Sequence, residues 1–170
     1  SALFINRKGK IMRITKYTTK INRETMRTEL VKEKAVNYKA YKKLSNPQLI
    51  VNALNDLFDL QNMAEEYIYM LTLNSKSDIT GVFEIAHGTV DSCMTSPREI
   101  FNKALLVGAV GVILAHNHPS GYVEASIPDT TLTRRIKEAG KLLNVELLDH
   151  IIIGDNCYYS FCEDGVLDEL

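Results

Sequence analysis

The sequence has few cysteines, no long apolar run and no low-complexity tract, and each absence excludes a class of protein. The three cysteines, Cys93, Cys157 and Cys162, form no CxxC pair, so we expect no disulfide framework and interpret all three as unreactive thiols. No stretch approaches the roughly 18 apolar residues of a membrane span. The charged N-terminus carries no apolar leader segment. We therefore expect a cytoplasmic protein with no membrane partner.

A net charge of −1 over 170 residues hides two unlike parts. Residues 1–45 contain 13 Lys/Arg and 3 Asp/Glu, whereas residues 46–170 contain 7 and 18. The first part therefore carries +10 and the second −11. We predict a basic, partly ordered N-terminal extension over 1–45, with a weakly amphipathic helix from Glu24 to Lys43. Such an extension can bind nucleic acid. Residues 46–170 are predicted to form the compact domain.

The pattern of residues 46–170 predicts a mixed sheet with helices packed on it, an α/β or α+β fold. Asn46-Pro47 is typical of a helix start, and Ser96 begins an S-x-x-E capping box. The apolar run 109–115 is typical of a strand buried on both faces. The predicted order is helix from 47, strands 67–74 and 79–86, helix from 97, strand 109–115, helix 126–143, and strands 145–153 and 157–161.

Helical spacing also predicts which side chains of two helices face the core. For the helix after Ser96 these are Ile100, Phe101, Ala104 and Leu105. For the helix that Asn144 ends, they are Leu132, Ile136, Ala139 and Leu143.

The chemically informative segment is HNHPSG at 116–121, at the end of the buried strand. Residues i and i+2 of a strand point to the same side, so His116 and His118 can aim at one point. Asp129 lies at the start of the next helix, where it can converge on them. Two imidazoles and a carboxylate are a common zinc ligand set with one position left for water. Ser126 and Asp129 also form a capping box, however, which explains Asp129 without a metal.

These residues resemble the JAMM metalloprotease signature, H-x-H, seven residues, S-x-x-D. The wider sequence resembles the RadC-like proteins, the bacterial branch of the MPN/JAMM superfamily, from about residue 46 onwards. The supporting stretches are HGTVDS at 87–92, SPREIFNKAL at 96–105, LTRRIKEAGKLLNVELLDHIIIGD at 132–155 and YYSF at 158–161. The resemblance implies an MPN/JAMM domain, which is a curved mixed sheet flanked by helices and similar to cytidine deaminases. Only the loop at 122–125 departs from the common RadC-like pattern, with no ligand lost.

The resemblance also implies a mechanism in which one zinc ion per chain is held by His116, His118 and Asp129. Ser126 would steady the oxyanion or the zinc-bound water. A glutamate ahead of an apolar strand would take the proton from water. Glu66 matches that context best, and Glu65 and Glu84 remain alternatives.

Three further polar residues have a structural and a functional interpretation. Asn117 and Ser120 can orient the ligand loop by hydrogen bonds, or they can be ordinary turn residues. His150, in an apolar strand, is interpreted as a hydrogen-bonded core histidine, although Asp149-His150 resembles a recurrent family motif.

The predicted function is therefore a zinc-dependent hydrolase that cleaves a peptide or isopeptide amide. One alternative is a DNA-associated protein, as the family's traditional DNA-repair label suggests, which would bind through residues 1–45. A second alternative is a non-catalytic MPN scaffold, although the complete ligand set argues against it. The sequence indicates neither the substrate nor the oligomeric state.

Overall fold

The computed structural model describes residues 10–40, 46–88 and 95–170, in which seven strands form one mixed sheet. The strand order across the sheet is β2-β1-β4-β3-β5-β6-β7. The pairs β1/β4 and β5/β6 are parallel, and the other neighbours are antiparallel. The strands are β1 (Lys10–Asn22), β2 (Arg27–Ala40), β3 (Glu66–Leu73), β4 (Ile79–Gly88), β5 (Gly111–Asn117), β6 (Glu146–Ile153) and β7 (Tyr158–Ser160).

Strands β1 and β2 form a long antiparallel hairpin, so the prediction of a helix from Glu24 to Lys43 is wrong. The segment is rich in lysine, which made a solvated helix plausible. It also contains Leu30, Val31 and Val36 at positions that pair with β-branched residues of β1. Cross-strand pairs of this kind stabilise a ladder that no local propensity scale detects.

The hairpin joins the edge of the sheet through the middle of β1. Lys16 and Tyr17 lie beside Val82 and Phe83 of β4 in a short parallel ladder. The side chain of Ile14 is buried, and the Lys16 ammonium donates to a carboxylate oxygen of Glu84 at 3.0 Å. Residues 10–40 are thus paired strands of the common sheet. The predicted domain boundary at 45/46 lies at the edge of residues 41–45, outside the described residues.

Helices cover both faces of the sheet and make two apolar layers. The helices are α1 (Pro47–Phe58), α2 (Pro97–Leu106), α3 (Ile127–Leu143) and α4 (Val166–Glu169). Along β5, Ile113 and Ala115 pack in the layer that contains α1, whereas Val112 and Leu114 pack in the layer with α2 and α3. Alternate side chains of one strand point to opposite faces, so β5 is buried on both sides, as its apolar run predicts. This arrangement confirms the predicted α/β fold with a mixed sheet between helices.

Two predicted helix faces need correction. Leu105 is 52% exposed at the end of α2, and Leu143 is 43% exposed at the end of α3. The buried face of α3 instead has a polar half at its N-terminal end; its buried residues are Asp129, Thr133, Ile136 and Gly140. Selecting core residues by hydrophobicity misses this face of the helix, because two of its four buried residues, Asp129 and Thr133, are polar.

The capping box predicted at Ser96 is also absent from α2. Ser96 is the N-cap, but its hydroxyl accepts no backbone N–H. The N–H of Glu99 bonds to the Ser96 carbonyl at 3.1 Å, so the amide that the hydroxyl would accept is already used. Within the described ranges, none of the helices has both the length and the apolar character needed to cross a membrane.

Candidate metal centre

Strand β5 delivers two histidines to one point at its C-terminal end. His116 is 1% exposed and lies beside Ile68 of β3 and Ile152 of β6. The N–H of His118 bonds to the carbonyl of Ile153 at 2.9 Å, which prolongs the line of β5 by one residue. The Nε2 atoms of His116 and His118 are 3.0 Å apart. The predicted convergence of residues i and i+2 is therefore present.

The N-terminus of α3 brings a carboxylate to the same point. The Asp129 Oδ2 accepts from the N–H and the hydroxyl of Ser126, at 2.8 and 2.6 Å. The Ser126 hydroxyl in turn accepts from the N–H of Asp129 at 3.2 Å. The other oxygen, Oδ1, lies 3.2 Å from Nε2 of His116. The capping box and the ligand set were alternative explanations of Asp129, but the structure combines them, with the cap aiming the carboxylate at the histidines.

The three side chains have the geometry and the chemistry of a metal site. His116, His118 and Asp129 each offer one ligand atom, and all three atoms lie within 4.8 Å of one another. A tetrahedral zinc ion with ligands at about 2.0–2.1 Å places ligand atoms about 3.3 Å apart. The two Nε2 atoms are 3.0 Å apart, Nε2 of His116 lies 3.2 Å from Oδ1 of Asp129, and Nε2 of His118 lies 3.5 Å from Oδ2, all close to that value. This group can therefore hold a metal ion, and its nitrogen and oxygen donors suit zinc.

Hydrogen bonds and charge set the protonation of the ligand atoms. The Nδ1 of His118 faces the Tyr122 carbonyl at 2.8 Å, so it carries the proton and donates, leaving Nε2 directed at the cluster. Burial by itself would raise the pKa of Asp129, but the neighbouring imidazoles of His116 and His118 hold it well below its usual range. The hydrogen bond with Asp129 raises the pKa of His118. Asp129 is therefore ionised, as a metal-binding carboxylate must be.

Glu66, at the start of β3, is the glutamate nearest to the cluster. Strands β3 and β5 are antiparallel, so the start of β3 lies beside the end of β5. The Oε1 of Glu66 is 4.0 Å from Nε2 of His116, and the side chain is 13% exposed. Burial is the main cause of the raised pKa of Glu66. A carboxyl with a raised pKa is suited to exchange protons near neutral pH.

The two alternative glutamates lie elsewhere. Glu65 lies in the bend before β3 and is exposed. Glu84, on β4, is bound to Lys16 at 3.0 Å and to His87 at 3.1 Å. Neither carboxylate belongs to the His116 cluster.

The two loop residues have different surroundings. The Asn117 side chain hydrogen-bonds to the main chain on both sides of Glu66. Ser120 is exposed, and its hydroxyl accepts a long hydrogen bond of 3.4 Å from the N–H of Tyr122. Ser120 therefore has the ordinary contacts of a turn residue.

Sequence reasoning missed Thr133 and underestimated His150. His150 is fully buried, and its Nε2 lies 2.9 Å from Nδ1 of His116. Its Nδ1 lies 2.7 Å from the hydroxyl of Thr133. His150 is thus a hydrogen-bonded core histidine, as predicted, and also contacts a candidate metal ligand. A histidine in an apolar strand and a threonine four residues after Asp129 were the available signals.

Among the described residues, Cys157 and Cys162 are not part of this centre. Cys157 and Cys162 are exposed free thiols, and the pKa of Cys162 is raised, chiefly by burial of the sulfur. Cys93 lies outside the described residues.

Comparison with known proteins identifies the family. Residues 44–166 match the RadC-like JAB domain family. A UPF0758 protein of Clostridium acetobutylicum is 36% identical over 135 residues, which are 76% of this chain and 58% of that protein. A UPF0758 protein of Clostridium botulinum is 38% identical over 140 residues, 79% of this chain and 60% of that protein. A UPF0758 protein of Clostridium perfringens is 37% identical over 139 residues, 82% of this chain and 60% of that protein.

The alignments cover 58 to 60% of the length of these curated relatives. The family match over residues 44–166 includes His116, His118 and Asp129. The chain belongs to the RadC-like JAB domain family.

Proposed function

We propose that this chain is a zinc-dependent hydrolase that cleaves a peptide or isopeptide amide. The observation that carries the proposal is the position of Glu66, whose carboxylate lies 4.0 Å from His116 and beside three converging ligand atoms. A site that only binds a metal for stability has no need of a second, largely buried carboxyl with a raised pKa. Family membership supports amide hydrolysis as the reaction class.

The chain's own residues have distinct roles in this reaction. His116, His118 and Asp129 would hold the zinc ion, and the capping box of α3 keeps the Asp129 carboxylate in place. When bound, zinc supplies Lewis-acid chemistry by acidifying water and polarising the scissile carbonyl. Glu66 accepts the proton of the attacking water and returns it to the leaving nitrogen as the C–N bond breaks.

The Ser126 hydroxyl, at the edge of the metal centre, has two roles in this proposal. Its hydroxyl donates to Asp129 at 2.6 Å, so in this structure it orients a ligand. The role in oxyanion stabilisation implied by the family resemblance requires this hydroxyl to turn toward the substrate. Ser126 is exposed enough to do so, and its own N–H would still hold Asp129 at 2.8 Å.

A substitution at Glu66 with a neighbouring control tests the proposal. The zinc-loaded wild type, Glu66→Gln and Glu65→Gln are incubated with a library of peptides and isopeptide-linked conjugates, and the products are read by mass spectrometry. We expect cleavage by wild type and Glu65→Gln, and a loss of at least about 100-fold in Glu66→Gln, the usual size of general-base catalysis. Zinc content must remain equal in all three proteins. Equal cleavage by Glu66→Gln would remove Glu66 from the mechanism.

The non-catalytic scaffold predicts a different result. A scaffold with a purely structural zinc site would bind the metal in all three proteins and cleave nothing. That outcome would refute hydrolysis while leaving the metal centre intact.

Nucleic-acid binding by residues 1–45 stays a second proposal, now supported by the shape of the hairpin. The tip between β1 and β2 is exposed and carries Lys20, Arg23 and Arg27. A two-stranded ribbon is also narrow enough to enter the major groove of DNA. Binding through these charges would weaken steeply with salt, and replacing all three by alanine would reduce both the affinity and the salt dependence. Unchanged affinity in this triple variant would exclude the hairpin tip.

A further inference from the structure

The ring of His116 is held by a chain of hydrogen bonds that begins at another ligand of the same centre. Its Nδ1 lies 2.9 Å from Nε2 of His150. Between two neutral imidazole nitrogens at this distance, one carries a proton and the other accepts it. The position of this proton decides whether Nε2 of His116 is free to bind a metal.

The hydroxyl of Thr133 sets the direction of this chain. It donates to the carbonyl oxygen of Asp129 at 2.6 Å, and a carbonyl can only accept. The proton of Thr133 is therefore used. Its oxygen accepts from Nδ1 of His150, which lies 2.7 Å away. A neutral imidazole has one N–H, so Nε2 of His150 is left as an acceptor.

The acceptor on His150 then determines the state of His116. The Nδ1 of His116 must donate to it, and Nε2 of His116 keeps an unprotonated lone pair. That Nε2 is the atom that lies 3.0 Å from Nε2 of His118. We propose that Thr133 and His150 are positioning residues that hold His116 in the tautomer competent to bind metal. This inference rests on the proposed zinc centre.

The surroundings of His150 keep its ring fixed. The ring is fully buried and stacks on Phe161, with centroids 5.3 Å apart and planes 10° apart. Its backbone N–H donates to the Asp149 carboxylate at 2.7 Å, and that carboxylate also accepts from the Ser160 hydroxyl at 2.7 Å. A ring packed in this way cannot turn to exchange its two nitrogens without breaking several contacts.

The competing arrangement uses the same atoms in the opposite sense. If Thr133 donated to Nδ1 of His150, then Nε2 of His150 would carry the proton and His116 would accept at Nδ1. The Nε2–H of His116 would then donate to Asp129, whose Oδ1 lies 3.2 Å away. In that arrangement a proton lies between Nε2 of His116 and Asp129, and a metal ion would have to displace it. The two arrangements make opposite predictions for every ring nitrogen of the chain.

Two substitutions at Thr133, one of them isosteric, separate the arrangements. Thr133→Val removes the hydroxyl and keeps the shape, so Nδ1 of His150 loses its acceptor and the preference for one tautomer. Thr133→Ser keeps the hydroxyl and is the matched control. The first readout is the set of ring nitrogen shifts from long-range ¹H–¹⁵N NMR of the metal-free protein. The chain has only four histidines, which makes assignment direct.

The second readout is the zinc Kd by competition with a chromophoric chelator. We expect wild type and Thr133→Ser to show Nδ1–H on both His116 and His150, with similar Kd values. In Thr133→Val we expect the Nε2–H form of His116 to appear and the Kd to rise about 10- to 100-fold, the usual effect of losing a hydrogen-bond partner of a ligand. Wild-type His116 protonated at Nε2, or a Thr133→Val protein with unchanged shifts and Kd, would overturn the inference.

A second pair of variants at His150 keeps the test decisive if Thr133→Val does not fold. His150→Gln can present an amide oxygen near the position of Nε2, whereas His150→Phe keeps the stacked ring and offers no acceptor. We expect a lower zinc affinity for the Phe variant than for the Gln variant, and equal affinities would contradict the inference. Neither readout uses turnover, so an inactive wild type would refute the proposed hydrolysis without affecting this result.

Discussion

Asn117 bonds to the main chain on both sides of Glu66. Its Oδ1 accepts from the N–H of Tyr67 at 2.8 Å, and its Nδ2 donates to the carbonyl of Glu65 at 3.0 Å. A longer bond of 3.3 Å reaches the carbonyl of Met63. The last residue of β5 thus fixes the first residue of β3, and the ligand strand positions the proposed general base.

Asn117→Ala should therefore reduce hydrolysis without removing zinc. The change leaves the part-buried N–H of Tyr67 without its Asn117 acceptor, and an unsatisfied buried group costs about 1–3 kcal/mol. We expect the free energy of unfolding to fall by about that amount and turnover to fall while zinc content stays at wild-type level. The measurements are urea unfolding, peptide cleavage and metal analysis. Asn52→Ala, on the exposed side of α1, is the control and should change none of these; a loss of zinc in Asn117→Ala would contradict the assignment.

Ser126→Ala should separate the cap of α3 from the metal centre. The variant loses the bond from the Asp129 N–H to the Ser126 hydroxyl, and loss of an N-cap of this kind costs about 1 kcal/mol. Asp129 is still held by the Ser126 N–H at 2.8 Å. We expect a lower unfolding free energy in urea, full zinc stoichiometry, and recovery of stability in Ser126→Thr. A metal-free Ser126→Ala protein would show that the hydroxyl is essential to the ligand geometry.

Zinc should raise the melting temperature of the wild type and not that of a ligand variant. A ligand present at about 100 times its Kd stabilises the folded state by about 2.7 kcal/mol. For a domain of this size, that corresponds to about 5–11 °C in Tm. We expect His118→Ala to lose this shift, and chelation to lower the Tm of the wild type to its metal-free value. Differential scanning calorimetry with and without zinc gives the comparison, and equal shifts in both proteins would place the metal elsewhere.

The ion pair between Lys16 and Glu84 should stabilise the docked hairpin over a defined pH range. Burial alone would raise the pKa of Glu84, but the hydrogen bond and charge of Lys16 lower it; burial would lower the pKa of Lys16, but Glu84 raises it. Because the pKa of Glu84 is lowered in the folded state, its ionised form stabilises the fold at pH values above 4.5, its unfolded pKa. Because the pKa of Lys16 is raised, its charged form stabilises the fold at pH values below 10.5, its unfolded pKa. The contribution is thus present between these values and is lost beyond either one.

Glu84→Gln provides the measurement of this pH range. We expect the unfolding free energy at pH 7 to fall by about 0.5–1 kcal/mol relative to wild type, as is usual for a partly exposed pair. The difference in unfolding free energy between wild type and Glu84→Gln should shrink as the pH falls below 4.5, because the Glu84 carboxylate of the wild type then becomes protonated and loses its charge. Glu33→Gln, whose more exposed carboxylate lies 3.4 Å from Lys16, should have a smaller effect. A difference that does not vary with pH would show that the ion pair is not its source.

Gly154→Ala should disturb the metal centre from a distance. A Cβ at this position would clash with the carbonyl oxygen of Gly121, so the loop that carries Tyr122 must move. The Tyr122 carbonyl accepts from Nδ1 of His118, and the shift should weaken zinc binding as well as stability. We expect a higher zinc Kd and a lower Tm. Gly165→Ala is the control, because a Cβ there meets nothing within 4 Å and only backbone strain is added.

The sequence by itself determined helices α1 to α3, strands β3 to β7 and the ligand spacing, but it did not predict the short α4 (Val166–Glu169). A continuous apolar run predicts β5, and the i, i+2 spacing of His116 and His118 follows from strand geometry alone. The capping pattern at Ser126 likewise places Asp129 in the first turn of a helix. These are local features, because each depends on residues a few positions apart, and the structure contains all of them.

Only the tertiary structure decided which contacts form between segments that are far apart in the sequence. The hairpin of residues 10–40 pairs along its whole length, and its partners are invisible to any local pattern. The same holds for the position of Glu66 beside His116, which follows from the antiparallel pairing of β3 and β5, and for His150, brought to His116 by the parallel register of β6. Hydrogen bonds across 34 to 50 residues, such as those of His150 and Asn117, form only after strand order and register are set. Side-chain spacing can suggest a metal site, but the proton positions that prepare it depend on that packing.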